Sequence, residues 1–120
     1  MEQYVHELIQ IQQQLRIFHW QTKSYARHKA YGETYEALGG LIDDFVETHM
    51  GKYGRFQLEQ SSVELTNTSD ISVREFIDSS IQFLIGMTET LDNQKDTDLL
   101  NIRDEMLGSL NKLKYLLSLE

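Results

Sequence analysis

The stretch FHWQTKSYARHKAYGETYEALGGLIDDFVETH, residues 18–49, decides the fold of this chain and holds three of its four histidines and its single tryptophan. It predicts the end of one helix, a short turn near residues 24–27 and a second helix over residues 28–50. Apolar residues recur on the second helix at helical spacing: Tyr31, Tyr35, Leu38, Ile42, Phe45. A neighbouring row carries acids and glycine: Glu36, Gly40, Asp43, Glu47. The helix therefore has a core face and, beside it, a face left for solvent or a partner.

Outside this stretch, the apolar pattern predicts three more helices, near residues 2–23, 73–92 and 97–118. The third begins with a capping box at Ser72, and Asp96 or Thr97 stands at the start of the fourth. A long polar connection, residues 52–71, joins helices two and three. We therefore predict an all-α fold with a single domain over residues 1–120. It is a four-helix bundle with one long crossover, as in ferritin-like folds.

Composition excludes several classes of protein. The formal net charge of −8 disfavours nucleic-acid binding, which depends on cationic contacts to phosphate. An acidic surface either keeps a protein soluble or attracts cations. Cysteine is absent, so disulfides and thiolate metal sites are impossible, and the lack of proline fits long helices. No apolar run approaches the roughly 20 residues of a membrane span, and the first residues do not resemble a signal peptide. We expect a cytoplasmic protein that binds no membrane.

Two histidines and two acids stand out as metal ligands: His19, His28, Asp43 and Glu47. Imidazole nitrogen combined with carboxylate oxygen suits iron, manganese or zinc. His28 and Asp43 are about 22 Å apart on a straight helix, so they cannot bind the same ion within one chain. If two copies of the helix pack antiparallel about a two-fold axis, His28 of one copy comes level with the acids of the other.

Each of these features also has a plainer explanation. A histidine beside an apolar stripe, such as His19, is more often a hydrogen-bonded core residue. Paired carboxylates on a helix are usually surface residues. Trp20 suits a core or interface anchor. Gly39 and Gly40 together cost a helix about 2 kcal/mol relative to alanine. Either close approach of another backbone near a two-fold axis or a bend in the helix explains them.

The order and spacing of His19-Trp20, His28, Tyr35, Asp43 and Glu47 resemble the motif of the Dps mini-ferritins (DNA protection during starvation). The resemblance covers helices one, two and four, including the run Asp96–Leu100. It implies that the two histidines come from one subunit and the two acids from its two-fold mate, forming an intersubunit ferroxidase site. Many members carry an acid four residues after the second histidine. This chain has Gly32 there.

The resemblance implies that Fe(II) is bound and oxidised by peroxide or oxygen, with manganese or zinc as alternative metals. It also implies self-association, as a two-fold homodimer at least and as a twelve-subunit shell in the family. The sequence is also similar to short FHWQT-type proteins of unknown function in large viruses and phages, which would place it in a host cytoplasm. The competing hypothesis is a non-catalytic helical assembly module that retains the ferritin-like dimer face.

Overall fold

The structure, a computed structural model, describes residues 1–119 and contains no strand among them. Four α-helices make up the fold: α1 (Glu2–Gln21), α2 (Tyr25–Tyr53), α3 (Val73–Thr90) and α4 (Thr97–Leu117). A short 3-10 helix, Thr68–Asp70, precedes α3. The predicted all-helical fold, with four helices, is therefore confirmed for this part of the chain.

Local capping explains where the helices begin and end. Ser24 accepts a hydrogen bond from the backbone N–H of Arg27 at 3.2 Å, so α2 begins at Tyr25. The predicted turn near residues 24–27 is therefore wrong, because α1 and α2 are joined by residues 22–24 alone. Gly54, at φ 87°, ends α2 in a conformation that favours glycine. Ser72 caps α3 as predicted, accepting from the N–H of Glu75 at 3.2 Å.

The longest helix sets the length of the bundle. The 29 residues of α2 correspond to about 43 Å of rise, and the longest dimension of the molecule is 43 Å. α2 packs between α1 and α4, and α3 packs against α4. α1 and α3 meet through aromatic rings, including Phe18 and Phe76, whose centroids lie 5.4 Å apart. The most deeply buried side chains come from all four helices and form one core: Leu15, Phe18, Phe45, Leu84, Met106, Leu110.

The crossover between α2 and α3 runs back along α1, without regular secondary structure between Gly54 and Asn67. Side chains of α1 spaced four residues apart bind its backbone: Glu2 binds Glu59, His6 binds Ser62, Gln10 binds Glu64 and Gln14 binds Thr66. Gln14 makes two backbone bonds, accepting from the N–H of Thr66 and donating to its carbonyl, each at 2.9 Å. These bonds satisfy polar backbone groups that the crossover cannot pair within itself.

Asp96 joins the end of α2 to the start of α4. It occupies the N-cap position of α4, but its carboxylate makes no capping bond. Instead the buried carboxylate accepts from the hydroxyl of Tyr53, from the backbone N–H of Asp92 at 2.9 Å and from Lys52 at 3.0 Å. These bonds, that of Tyr53 first, lower the pKa of Asp96 to about 2. Asp96 is therefore ionised and anchors the bundle at this end.

Candidate metal site

His19 and His28 face each other across the turn between α1 and α2. Their ring centroids are 3.8 Å apart and the ring planes are inclined by 18°. Nδ1 of His19 donates to the carbonyl of His28 at 2.7 Å, and Nδ1 of His28 donates to the carbonyl of His19 at 2.8 Å. The carbonyl of His19 lies in the last turn of α1, where carbonyls lack a helical partner. The side chain of His28 therefore caps a free carbonyl at the end of α1, and the two histidine hydrogen bonds stabilise the turn.

This arrangement decides which nitrogen of each ring can bind a metal. A carbonyl oxygen only accepts hydrogen bonds, so the Nδ1 atoms of His19 and His28 carry the hydrogens and each Nε2 keeps its lone pair. Metal-binding histidines are commonly held in this way, with the non-coordinating nitrogen donating to a carbonyl. The Nε2 atoms of both rings are thus chemically suited to a divalent metal such as iron, manganese or zinc.

Gly32 makes room for the imidazole of His19. A Cβ atom at Gly32 would lie 2.9 Å from Cε1 and 3.0 Å from Nδ1 of His19, closer than such atoms approach. The ring of Tyr35 packs edge-on against His19, with centroids 5.3 Å apart. The space in which an acid at position 32 would begin is therefore filled by the first histidine of the pair.

A cation and an exposed aromatic ring stand beside the histidines. The guanidinium of Arg16 lies 4.9 Å from the ring centre of Tyr35 and 6.0 Å from that of Trp20. Nε of Arg16 is buried and has no hydrogen-bond partner within residues 1–119. The side chain of Trp20 is 64% exposed. The ring of Trp20 is therefore an exposed aromatic surface next to a partly buried cation.

Asp43 and Glu47 lie on the same helix as His28 but far from it. Both acids are exposed on α2. α2 is a continuous helix from Tyr25 to Tyr53, so His28 and Asp43 are separated by about 22 Å. Within residues 1–119 no three potential ligands from His, Asp and Glu converge on one point. The structure therefore brings the histidines together and leaves the acids as a separate pair along α2.

The two adjacent glycines of α2 have different surroundings. A Cβ at Gly39 would lie 2.7 Å from the side-chain nitrogen of Gln12, which donates to the carbonyl of Tyr35 at 3.1 Å. Close packing of α1 thus explains Gly39 within the chain. Gly40 is exposed, and no side chain or other helix within residues 1–119 lies within 4 Å of its Cβ position. Of the two adjacent glycines, Gly40 is therefore the one that another chain could approach closely.

A second polar cluster, which the sequence analysis missed, lies at the opposite end of the bundle. Tyr4, His49, Tyr53 and Asp96 line an open cleft of ≈ 550 Å³. Oη of Tyr4 and Nδ1 of His49 are buried there, and neither has a hydrogen-bond partner among residues 1–119. Burial, followed by the charge of the N-terminus, lowers the pKa of His49, and burial raises that of Tyr4. His49 could be assigned to an apolar stripe from its spacing, but nothing in the sequence indicated the cleft.

Residues 19–117 match a family whose description is "Family of unknown function (DUF5856)". The chain belongs to this family. The matched region begins at the first histidine of the pair and includes both acids, so the whole candidate site lies inside it. The family's description assigns no activity to these residues.

A phage protein is also similar to this chain. It is the "Uncharacterized 14.6 kDa protein in mobD-ri intergenic region" of Enterobacteria phage T4, 29% identical over 119 residues, covering 99% of this chain and 88% of the phage protein. A viral relative of unknown function agrees with the resemblance noted from the sequence. No solved structure matches the chain. None of the helices within residues 1–119 is both long and apolar enough to span a membrane.

Proposed function

We propose that this protein is a ferritin-like, Dps-like metal-binding protein whose sites lie between subunits. His19 and His28 of one chain and Asp43 and Glu47 of a second chain form each site. The observation that carries the proposal is the histidine pair, because each Nδ1 hydrogen is committed to a carbonyl and each Nε2 lone pair is left for a metal. The proposed metal is iron, with manganese and zinc as alternatives.

The distribution of charge along α2 supports a two-fold pair. Lys23 and Lys29 stand near the start of the helix, and Asp43 and Glu47 share a face in its second half, all with exposed side chains. Antiparallel packing of two α2 helices places the cations of one chain near the acids of the other. Such pairing brings each histidine pair toward the partner's acids. A twelve-subunit shell would be built from pairs of this kind.

The ligand set suits Fe(II) as a substrate. Two carboxylates balance the charge of one divalent ion, and neutral imidazoles add nitrogen ligands without adding charge. In the proposed reaction, two Fe(II) ions each give one electron to hydrogen peroxide, which takes up two protons and becomes two water molecules. The protein would hold the ions while peroxide oxidises them, and so remove both reactants.

The second candidate function is a non-catalytic assembly module. The exposed ring of Trp20 favours it, because large aromatic side chains are enriched where protein chains contact each other. Asp43 and Glu47 would then form ion pairs or hydrogen bonds across the interface. In that case added metal leaves the stability of the dimer unchanged, whereas the metal-binding function predicts a higher melting temperature with bound metal.

Anaerobic Fe(II) titration of the purified protein, followed by peroxide, tests the proposed function. Asp43→Asn should lower Fe(II) affinity by at least about tenfold, because the site loses the charge of one of its two carboxylate ligands. Asp44→Asn is the matched control, since Asp44 is an exposed neighbour on another face of α2. Solution mass on the same sample should give a dimer or larger assembly. Absence of Fe(II) binding, or equal loss in both variants, contradicts the proposal.

A further inference from the structure

We propose that each metal site holds a single ion, that one imidazole of the pair binds it, and that the other imidazole positions the first. This inference rests on the proposed function and specifies its ligand set. It is carried by the stacking of His19 on His28 and by the residue that occupies position 32.

The stacked rings cannot both bind one ion. The lone pair of Nε2 lies in the plane of its imidazole, and a metal ion sits about 2 Å from the nitrogen in that plane. The ring planes of His19 and His28 differ by only 18°, and the ring centroids are 3.8 Å apart. An ion in the plane of one ring therefore lies roughly 2 Å or more from the plane of the other and cannot meet both lone pairs. The second ring contributes packing instead of a bond to the ion.

The rings are also held in this stack from both sides. Each Nδ1 donates to a backbone carbonyl, at 2.7 Å and 2.8 Å. Tyr35 packs against His19, and the missing Cβ of Gly32 lets the ring lie close to α2. Rotation of either ring toward a shared ion would break one of these hydrogen bonds and leave a carbonyl without its partner. The stack is therefore expected to persist when metal is bound.

Charge restricts the site to one ion. Two divalent ions need more negative charge than Asp43 and Glu47 of the partner subunit supply, and closely spaced pairs of ions are usually held by shared carboxylates. Gly32 provides no such carboxylate, and Glu33 points about 100° away around the helix. Arg16 adds a fixed positive charge against Tyr35, which itself contacts His19. The positive charge of a second cation at this position would not be balanced by any carboxylate of the site.

Manganese provides the test, because Mn(II) binding is counted directly by electron paramagnetic resonance. We expect one Mn(II) per chain, and pulsed measurements should show coupling to one imidazole nitrogen. His19→Phe and His28→Phe each keep an aromatic ring for the stack. One of these variants should lose Mn(II) binding, and the other should retain it within about fivefold. Circular dichroism checks that both variants are folded.

The outcomes separate this inference from the proposed function. Two Mn(II) ions per chain, two coordinated imidazoles, or equal losses in the two phenylalanine variants overturn the single-ion, single-imidazole site while metal binding stands. If Mn(II), Fe(II) and Zn(II) all fail to bind the wild-type protein, the proposed function fails and this inference fails with it.

Discussion

Replacing Gly32 by alanine tests the geometry of the histidine pair. In an open helical position this change stabilises a protein by about 1 kcal/mol, the difference in helix propensity. At Gly32 the new Cβ would lie 2.9 Å from Cε1 of His19. That ring cannot move away freely, because it stacks on His28 at 3.8 Å and donates to a carbonyl at 2.7 Å.

The expected magnitude follows from these opposing effects. Overpacking in a tight site costs about 1–3 kcal/mol, and loss of the His19 hydrogen bond adds about 1 kcal/mol. Set against a propensity gain of about 1 kcal/mol, the net result is a destabilisation of about 1–3 kcal/mol. Gly86→Ala is the matched control, because Gly86 lies within α3 and no side chain or other helix within residues 1–119 lies within 4 Å of its Cβ position. It should stabilise the protein by up to about 1 kcal/mol.

Urea unfolding followed by circular dichroism, in buffer containing a chelator, measures the free energies of unfolding of Gly32→Ala and Gly86→Ala. Nuclear magnetic resonance of the imidazole protons should also show altered His19 and His28 signals in Gly32→Ala alone. If Gly32→Ala and Gly86→Ala stabilise the protein equally, the ring of His19 does not pack on Gly32. The stacked pair, and the inferences that depend on it, would then be wrong.

Three further predictions concern other parts of the fold. The pKa of Asp96 in the folded protein is about 2, below its ordinary value of 3.8, so its ionised form adds about 2 kcal/mol of stability that is present above pH 4 and lost as the pH falls through 2. The free energy of unfolding, measured as the pH is lowered, should show this loss in the wild-type protein and not in Asp96→Asn. Equal losses in the two proteins would mean that the Asp96 carboxylate does not stabilise this end of the bundle. Gly40→Leu should dissociate the two-fold pair by overpacking, which solution mass measures. If the variant stays dimeric, Gly40 does not lie at the interface. Gln14→Ala should speed hydrogen exchange at the N–H of Thr66 severalfold, whereas unchanged exchange would mean that Gln14 does not hold the crossover.

Local signals in the sequence were sufficient for most of the fold. Helical spacing of apolar residues predicted four helices, and the capping box at Ser72 located the start of α3 correctly. The turn before α2 was misplaced, although Ser24 is itself a preferred N-cap residue and could have indicated the start at Tyr25. The predicted end of helix two at residue 50 is also too early. α2 continues to Tyr53 and ends at Gly54, which adopts a positive φ.

Only part of the candidate site could be predicted from the sequence. Spacing predicted His19 and His28 as candidate metal ligands, which stays a prediction, and their mutual hydrogen bonds to carbonyls depend on the geometry of the turn. The role of Gly32 as space for an imidazole also requires the packing of α1 on α2. The position of Asp43 and Glu47 along one continuous helix was predictable. Their meeting with histidines of another chain stays a prediction, because it depends on how two chains pack.

The central claim is that each site is shared between two chains, and a mixing experiment tests it most directly. One variant carries His19→Ala and His28→Ala, and the other carries Asp43→Asn and Glu47→Gln. Neither variant alone should bind Fe(II), since every site in it lacks one half of its ligands.

The two variants are unfolded together in denaturant, refolded as an equal mixture, and titrated with Fe(II) under anaerobic conditions. About half of the refolded pairs should contain one chain of each kind, and each such pair has one complete site and one without ligands. Fe(II) binding should therefore return to about one quarter of the wild-type capacity. Recovery of no binding, from variants that refold into mixed dimers, would contradict a site shared between chains.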